Sequence, residues 1–171
     1  MKKILVSIFL LVFGLCLTAC ANSGIDYKVS YDNMASFGQK KVDEGLQIFS
    51  DAYITSQEEL ISLCDEWNNK SFDENDEYYN SDLKTLIRSY GDEYFELNNL
   101  IIIEFETGQG IDTKVKNISI EENRIIVNIK QKQKNGIWTT EAFSWLMIVE
   151  VSKENTIGVT ELVVNLKKYK K

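Results

Sequence analysis

The sequence predicts an α+β fold, with a mainly antiparallel sheet of about five to seven strands and two helices packed on one face. Several segments alternate apolar and polar residues, which is the period expected of a half-buried strand. Two segments instead repeat apolar residues at helical spacing, and each follows a serine that is suited to cap a helix. Residues 100–105 are apolar on both faces, as expected for a central strand.

The first twenty residues have the three parts of a bacterial lipoprotein signal. Lys2 and Lys3 precede an almost entirely apolar stretch over residues 4–15. That stretch is too short for a transmembrane helix, which needs about 20 apolar residues. The segment closes with small residues before a cysteine: Leu17, Thr18, Ala19 and Cys20. This ending resembles a lipobox, in which signal peptidase II recognises the residues before the cysteine and the thiol receives a diacylglycerol.

The resemblance to a lipobox divides the chain into three parts. Residues 1–19 are expected to be a lipoprotein signal peptide, and residues 20–24 the lipidated cysteine with a short tether. Residues 25–171 are long enough for a single α+β domain with its own core. We expect the protein on the outer face of the cell membrane, anchored through lipid on Cys20. Its content of isoleucine, asparagine and lysine favours a Gram-positive bacterium.

The first part of the domain is expected to hold two strands and the start of a helix. Residues 25–31 alternate apolar and polar side chains and predict a strand. Residues 32–45 contain two glycines and predict an irregular connection, which leads to a second strand-like run over residues 46–54. Ser56 and Glu59 then have the spacing of a capping box, which predicts the first helix.

The middle of the chain is expected to be helical. The first helix extends to about Asn68, and a polar, acidic loop follows over residues 70–80. A serine followed by Asp82 predicts the start of the second helix, and Gly91 is expected to stop it in the usual C-terminal glycine position. One further helical turn is expected to bring Phe95 into the core.

The last part of the domain is predicted to be a meander of β-strands. Residues 115–120 and 125–129 flank a tight turn, in which Asn123 is expected to supply a positive φ. Residues 143–151 alternate along one long strand, and residues 162–166 form the last strand. The lysine-rich run that follows is predicted to be a frayed, solvated tail.

Charge and residue content exclude several classes of function. The formal net charge is -7 and becomes more negative when Lys2 and Lys3 leave with the leader, so nucleic acid is not expected as a partner. The chain contains no histidine, which is the usual base for nucleophilic catalysis and a usual zinc ligand. Cys64 lies on an apolar helical stripe with Leu60 and Trp67 and is predicted to be a core residue. We therefore expect no catalytic residues, no metal site and no cofactor.

Three further patterns each have two interpretations. Gly108-Gln109-Gly110 is followed by a strand rather than the helix of a phosphate-binding loop, so a β-turn or bulge is preferred. The acidic run at residues 73–77 does not match the spacing of an EF-hand, and a solvated loop is preferred to a calcium site. Glu104 lies in an apolar strand, where burial could raise the pKa of its carboxyl group and suit it to glycoside hydrolysis, but a place near a strand end without a catalytic role is preferred. Four tyrosines could line a sugar-binding face, but packing of the helices on the sheet is preferred: Tyr78, Tyr79, Tyr90 and Tyr94.

The order of features from about residue 27 onward carries a family resemblance. A capping motif opens a helix that ends in a tryptophan, and an aromatic turn, an apolar strand, a glycine pair and a second apolar strand follow. These features are residues 55–60, Trp67, Tyr94-Phe95, residues 100–105, Gly108 with Gly110, and residues 144–151. Together they resemble the PrcB-like C-terminal domain family. The resemblance implies a non-catalytic subunit that helps to assemble a protein complex at the cell surface.

The sequence therefore predicts a membrane-anchored extracytoplasmic lipoprotein that is a non-catalytic protein-binding or complex-stabilising module, and not an enzyme. Its expected partners are the membrane, through lipid on Cys20, and another envelope or surface protein. An alternative is a lipoprotein that binds a glycan, a peptide or calcium on the aromatic and acidic surface around residues 72–94. A further alternative is an unrecognised hydrolase that depends on Glu104.

Overall fold

The computed structural model describes residues 24–42, 45–49, 51–108, 110–136 and 141–168. The residues of the predicted lipobox lie outside these ranges: Leu17, Thr18, Ala19 and Cys20. Within these ranges the chain is rich in strands, most of which pair in antiparallel fashion, and it also contains helices. The predicted α+β class is confirmed.

The described residues form nine strands and three helices. The strands are β1 (Tyr27–Met34), β2 (Gln39–Val42), β3 (Gly45–Ile48), β4 (Asp51–Ile54), β5 (Asn98–Gly108), β6 (Ile111–Glu121), β7 (Arg124–Gln133), β8 (Ala142–Ser152) and β9 (Glu161–Lys168). The helices are α1 (Gln57–Glu66), α2 (Asp82–Ser89) and α3 (Asp92–Leu97). Short 3₁₀ turns cover Lys70–Phe72 and Lys153–Thr156.

These strands do not form the single sheet of five to seven strands that the sequence predicts. Four of them form an antiparallel sheet in the order β1-β8-β5-β4. Three others form a second sheet in the order β6-β7-β9, in which β7 and β9 run parallel. Strands β2 and β3 pair only with each other among the described strands.

The four-stranded sheet is the middle layer because β5 and β8 are apolar on both faces. Alternate side chains of these strands point to opposite sides, so one set joins buried residues of the helices in a helix-side cluster. Its members include Leu60, Cys64, Ile87, Phe95, Leu100, Ile102, Leu146 and Ile148. The other set joins the three-stranded sheet in a sheet-side cluster. Its buried members include Ile101, Ile103, Ile118, Ile125, Val127, Ile129, Met147 and Val149.

The segment between β1 and α1 departs most from the prediction. Residues 39–42, expected in an irregular connection, form β2, and the single run expected over residues 46–54 is divided into β3 and β4. Phe49 stands between these two strands and is buried in the helix-side cluster. Burial of its ring directs the chain into the core, so β3 and β4 belong to different sheets.

The start of α1 agrees with the predicted capping box. The backbone N–H of Glu59 donates to Oγ of Ser56 at 3.2 Å. In return, Oε2 of Glu59 accepts from the backbone N–H of Thr55 at 2.7 Å, one residue before the cap. Both contacts satisfy N–H groups at the helix start, which have no partner within the helix itself.

Two turn residues differ from their predicted roles. In the β6–β7 turn the positive φ, 58°, belongs to Glu122, and Asn123 instead donates from Nδ2 to Oγ1 of Thr160 at 2.8 Å. Gly91 has φ of -86° and is the N-cap of α3, so it is not a left-handed stop for α2. The predicted turn after it is the helix α3, which places Phe95 in the core as expected.

Candidate functional site

Aromatic side chains pack at the two ends of the β2–β3 hairpin, where it leaves the core. Phe37 precedes β2 and Phe49 follows β3, and both rings are buried in the helix-side cluster. Their ring centroids lie 4.6 Å apart. The Phe49 ring meets the indole of Trp67 edge-on at 5.2 Å. These three residues, called the hairpin base below, fix both ends of the hairpin against α1.

Hydrogen bonds fix the backbone where it enters the hairpin. The N–H of Phe37 donates to Oε2 of Glu104 at 2.8 Å. The carbonyl of Phe37 accepts from Nδ2 of Asn69 at 2.6 Å. Both contacts are side chain to backbone, so they hold the chain path itself rather than a side chain. Because the N–H of Phe37 is buried, loss of the Glu104 carboxylate would leave a buried donor without an acceptor and lower the stability of the fold.

A glycine allows the same segment to approach the end of α1. The N–H of Gln39 donates to the carbonyl of Trp67 at 2.8 Å. A Cβ atom on Gly38 would stand only 2.3 Å from that carbonyl oxygen. Glycine therefore fits at this position because it has no side chain, and any other residue would displace the backbone.

The hairpin presents apolar side chains to solvent. Leu46 is 60% exposed and Ile48 is 46% exposed. They lie on one face of β3, opposite Lys41 and Gln39 of β2 in the antiparallel register. Val42 is 42% exposed near the tip. Exposed apolar side chains that share a face can mark an interaction site, so Leu46 and Ile48 are called the hairpin surface below, whereas Val42 pairs with Gly45 and lies on the other face.

The sequence pattern does not predict the hairpin surface. Residues 46–54 have the pattern of a core strand, and an apolar pattern cannot distinguish a strand that packs from one that projects. Gly45 was the available signal, because two short runs joined by a few residues that include glycine are typical of a hairpin. Gly45 has φ of 141°, which only glycine adopts readily.

Glu104 is buried in the interior of β5 and not near a strand end as expected, and its contacts are structural. It is 5% exposed, and Oε2 binds the N–H of Phe37. Its Oε1 has no hydrogen-bond partner among the described residues. Glu104 and Leu100 are four residues apart on β5, which is about 13 Å along the strand. Leu100 pairs with Glu150, and the Tyr90 hydroxyl donates to Oε1 of Glu150 at 3.4 Å. Tyr90 is therefore near that end of β5 and not beside Glu104.

The four tyrosines do not form one face beside Glu104. Tyr90 and Tyr94 pack in the helix-side cluster with ring centroids 4.7 Å apart. Burial raises the pKa of both hydroxyl groups above the ordinary tyrosine value. Tyr78 is exposed, and Tyr79 lies under the guanidinium of Arg88 at 3.7 Å. The preferred interpretation, packing on the sheet, therefore applies to two of the four residues.

The acidic run at residues 73–77 uses its carboxylates in local contacts. Oδ1 of Asp73 accepts from the backbone N–H of Asn75 at 3.1 Å. Oδ1 of Asp76 accepts from the backbone N–H of Tyr78 at 2.8 Å and from Nζ of Lys84. The hydrogen bond from Lys84 lowers the pKa of Asp76. Among the described residues no group of three or more His, Cys, Asp or Glu is arranged to hold a metal ion.

Two other predicted features have structural roles. Cys64 is fully buried in the helix-side cluster, and desolvation, assisted by the nearby charge of Asp65, raises the pKa of its thiol to about 12. Such a thiol is unreactive at neutral pH. Gly108 ends β5 and β6 begins at Ile111, so a strand follows the glycine pair, as expected for a turn between strands.

No family model, no curated protein and no solved structure matches the chain. Among the described residues no helix is both long and apolar enough to cross a membrane.

Proposed function

We propose that the mature chain is a lipid-anchored extracytoplasmic lipoprotein that acts as a non-catalytic protein-binding module. It sits on the outer face of the cell membrane of a Gram-positive bacterium and binds another envelope or surface protein. Through that contact it stabilises a complex. This role agrees with the one that the resemblance to PrcB-like C-terminal domains implies.

The proposed anchor is supported by the sequence. A charged start, a short apolar stretch and small residues before Cys20 are the features that direct lipid to a cysteine thiol. A single lipid chain binds membranes only reversibly, so diacylglycerol with its two chains is suited to lasting attachment.

The observation that carries the proposed function is the exposed hairpin surface on a fixed base. A two-stranded hairpin is at best marginally stable alone. Here its ends are held by Phe37 and Phe49 in the core, and its entry by Glu104 and Asn69. Because the base orders the hairpin before any partner arrives, binding would lose less conformational entropy.

The hairpin surface also limits the chemistry of the partner. Leu46 and Ile48 favour an apolar patch on the other protein, since burial contributes about 25 cal/mol per Å² of apolar area. Lys41 lies opposite Leu46 on the same face and favours a carboxylate at the rim of that patch. Lys40, on the other face of β2, is in an ion pair with Glu66 at 2.7 Å.

The proposal is tested by photocrosslinking in living cells. A photoreactive amino acid replaces Gln39, beside the hairpin surface, or Glu96, on α3 outside the hairpin. We expect one discrete envelope protein to be captured from position 39 and not from position 96. Replacement of Cys20 by alanine is expected to abolish palmitate labelling and the crosslink together.

Matched double variants separate the hairpin surface from exposed apolar residues in general. Leu46→Ser with Ile48→Ser is expected to abolish the crosslink and to lower the abundance of the captured complex. Leu97→Ser with Ile157→Ser changes side chains that are 72% and 83% exposed, and is expected to leave both unchanged. Equal crosslinking by the two double variants, or no discrete product from position 39, would contradict the proposal.

A further inference from the structure

A groove lies between the edge strand β4 and helix α1. Strand β4 pairs with β5 on one side and with no described strand on the other. Residues 52–54 line the groove on the β4 side, side chains of α1 line it on the other, and its volume is about 640 Å³. An edge strand exposes backbone N–H and C=O groups with which another chain can pair. This site is called the strand-edge groove below.

The register of the sheet shows that Tyr53 directs its backbone into the open side of β4. The carbonyl of Ser144 accepts from the N–H of Ala35 at the β1 side, so even-numbered residues of β8 bond towards β1 and odd-numbered ones towards β5. Met147 therefore bonds to Ile103, and the even-numbered residues of β5 bond to β4. Their partners on β4 are the two neighbours of Tyr53, so Tyr53 itself faces away from β5.

A second observation places the backbone of Tyr53 in the groove. The N–H of Thr55 donates to Oε2 of Glu59 at 2.7 Å, and Glu59 lines the groove. Residues two apart on an extended chain point the same way, so the N–H of Tyr53 faces the groove as well. The ring of Tyr53 packs against the sheet-side cluster, on the opposite face of β4. Its backbone therefore offers one donor and one acceptor to an added strand.

The floor of the strand-edge groove is apolar and its helical wall is acidic. Ala52 and Leu63 pack against the helix-side cluster and form the floor. Glu58, Ser62 and Glu66 follow one another at intervals of four residues, so they lie on one ridge of α1. A bound segment therefore meets aliphatic carbon below it and carboxylates at its side.

The wall can bind a cation although one of its carboxylates already has a partner. Glu66 forms an ion pair with Lys40 at 2.7 Å, and the two side chains are 49% and 40% exposed. Such an exposed pair contributes little stability, so this carboxylate can be shared with a second cation. Within the part of the chain that the structure describes, the Glu58 side chain has no ion pair or hydrogen bond, and no lysine or arginine lines the groove.

We propose that the strand-edge groove binds an extended, basic segment of an envelope protein, which adds to β4 as a further antiparallel strand. Main-chain hydrogen bonds to Tyr53 hold the segment, and its alternate side chains give specificity, as in other proteins that bind peptides at a sheet edge. The inference goes beyond the proposed function, because this surface is distinct from the hairpin surface and does not need its partner.

The alternation of the added strand predicts which of its residues are basic. Residues directly opposite each other point to the same face of a sheet, so the residue opposite Tyr53 points to the sheet side with its ring. The residues before and after it point to α1. A lysine or arginine there can lay its carbon chain over Leu63 and bring its charge to Glu58. The predicted ligand alternates basic residues with good strand formers such as valine.

Charge favours such a segment over a second copy of this chain. Two copies paired through β4 would place the acidic walls of both α1 helices at one interface. Like charges across an interface oppose association. The chain has a net charge of -7, so a basic segment is attracted to it from a distance.

The test uses the full chain in a neutral detergent and a labelled heptapeptide that alternates lysine with valine and has blocked ends. Binding is followed by fluorescence anisotropy. N-methylation of the valines removes the N–H groups that face Tyr53 and is expected to weaken binding at least about tenfold. N-methylation of the lysines changes N–H groups that face away from β4 and is expected to change affinity less than about threefold. A peptide with glutamate in place of lysine should not bind.

Matched variants of the chain identify the site. Ser62→Trp places an indole on the wall of the groove and is expected to weaken binding of the lysine peptide at least about tenfold. Ile61→Trp makes the same addition on α1 outside the groove and is expected to change affinity less than about twofold. Leu46→Ser with Ile48→Ser should leave peptide binding unchanged, which separates this site from the hairpin surface. Thermal melts of each variant establish that it is folded.

Four outcomes would overturn the inference. Equal affinity of the two N-methylated peptides would show that charge alone attracts the ligand, and this comparison needs no variant. Equal weakening by the two tryptophan variants would place the peptide elsewhere. Loss of peptide binding in the hairpin double variant would assign it to the hairpin surface. Self-association of the chain that Ser62→Trp abolishes would make a second copy the occupant.

Discussion

The two faces of the central strands β5 and β8 are covered in different ways. The buried residues of the sheet-side cluster are aliphatic side chains and a methionine, contributed by strands alone. The helix-side cluster also contains the rings of Phe37, Phe49, Tyr90 and Phe95. Next to it lies a buried carboxylate, Glu104, that binds backbone.

This difference indicates what each layer does. Branched aliphatic side chains fill the space between two sheets by alternation alone, and their burial mainly contributes stability. The helix side must also hold a hairpin that buries little of its own surface, so it uses directed contacts from Glu104 and Asn69. We therefore expect damage to the sheet side to lower overall stability, and damage to the hairpin base to release the hairpin.

The largest effect is expected from a cavity on the sheet side. Ile125 is fully buried between the sheets. Ile125→Ala should lower the free energy of unfolding by about 2–5 kcal/mol, and Ile125→Val by about 0.5–1.5 kcal/mol. Urea denaturation measures both values. A loss below about 1 kcal/mol for Ile125→Ala would mean that this layer is not the source of stability.

A smaller effect with a local consequence is expected at the hairpin base. Gly38→Ala places a Cβ against the carbonyl of Trp67 and should cost about 1–3 kcal/mol, because the backbone must move. It should also speed amide hydrogen exchange in β2 and β3 more than in β6 and β7. Gly91 is the control, since a Cβ there meets no atom within 4 Å. Similar stability losses for Gly38→Ala and Gly91→Ala would contradict the role given to the base.

The carboxylate next to the base gives a third test. Glu104→Ala leaves the buried N–H of Phe37 without its acceptor and should cost about 1–3 kcal/mol. Glu104→Gln keeps an oxygen for that N–H and should cost less than about 1 kcal/mol. Denaturation curves of the two variants give the comparison. Equal losses in the free energy of unfolding for the two variants would show that the hydrogen bond from the Phe37 N–H to Glu104 does not stabilise this segment.

The smallest effect concerns pH and the buried thiol of Cys64. Its pKa rises from 9.0 to about 12 in the folded chain. Above pH 9 the unfolded thiol ionises while the folded thiol stays protonated, so unfolding becomes more favourable as pH rises. Between pH 8 and pH 10 the wild-type protein should lose about 1 kcal/mol more than Cys64→Ala. Parallel pH profiles for the two proteins would show that burial does not hold the thiol neutral.

Sequence patterns predict the middle layer well because its signals are local. The two-sided apolar run at residues 100–105 lies in β5, the capping box opens α1, and Cys64 and Phe95 are buried. Each of these features depends on neighbours in the sequence or on a burial pattern with a fixed period. The α+β class follows from them.

Long-range pairing decides the features that sequence patterns miss. Periodicity does not reveal that β6, β7 and β9 form a second sheet, because strands of either sheet alternate alike. Lys167, expected in a solvated tail, is in β9 because it pairs with Lys130. Likewise Leu46 and Ile48 look like core residues, and only their position outside both sheets exposes them.

Binding through the hairpin is tested most directly by amide hydrogen exchange of the full chain in two states. One sample is kept in isolated host membranes with its partners, and the other is purified in a neutral detergent. The account predicts that exchange in β2 and β3 is slower in the membranes, while exchange in α3 is the same in both. Equal exchange of the hairpin in the two samples would contradict it.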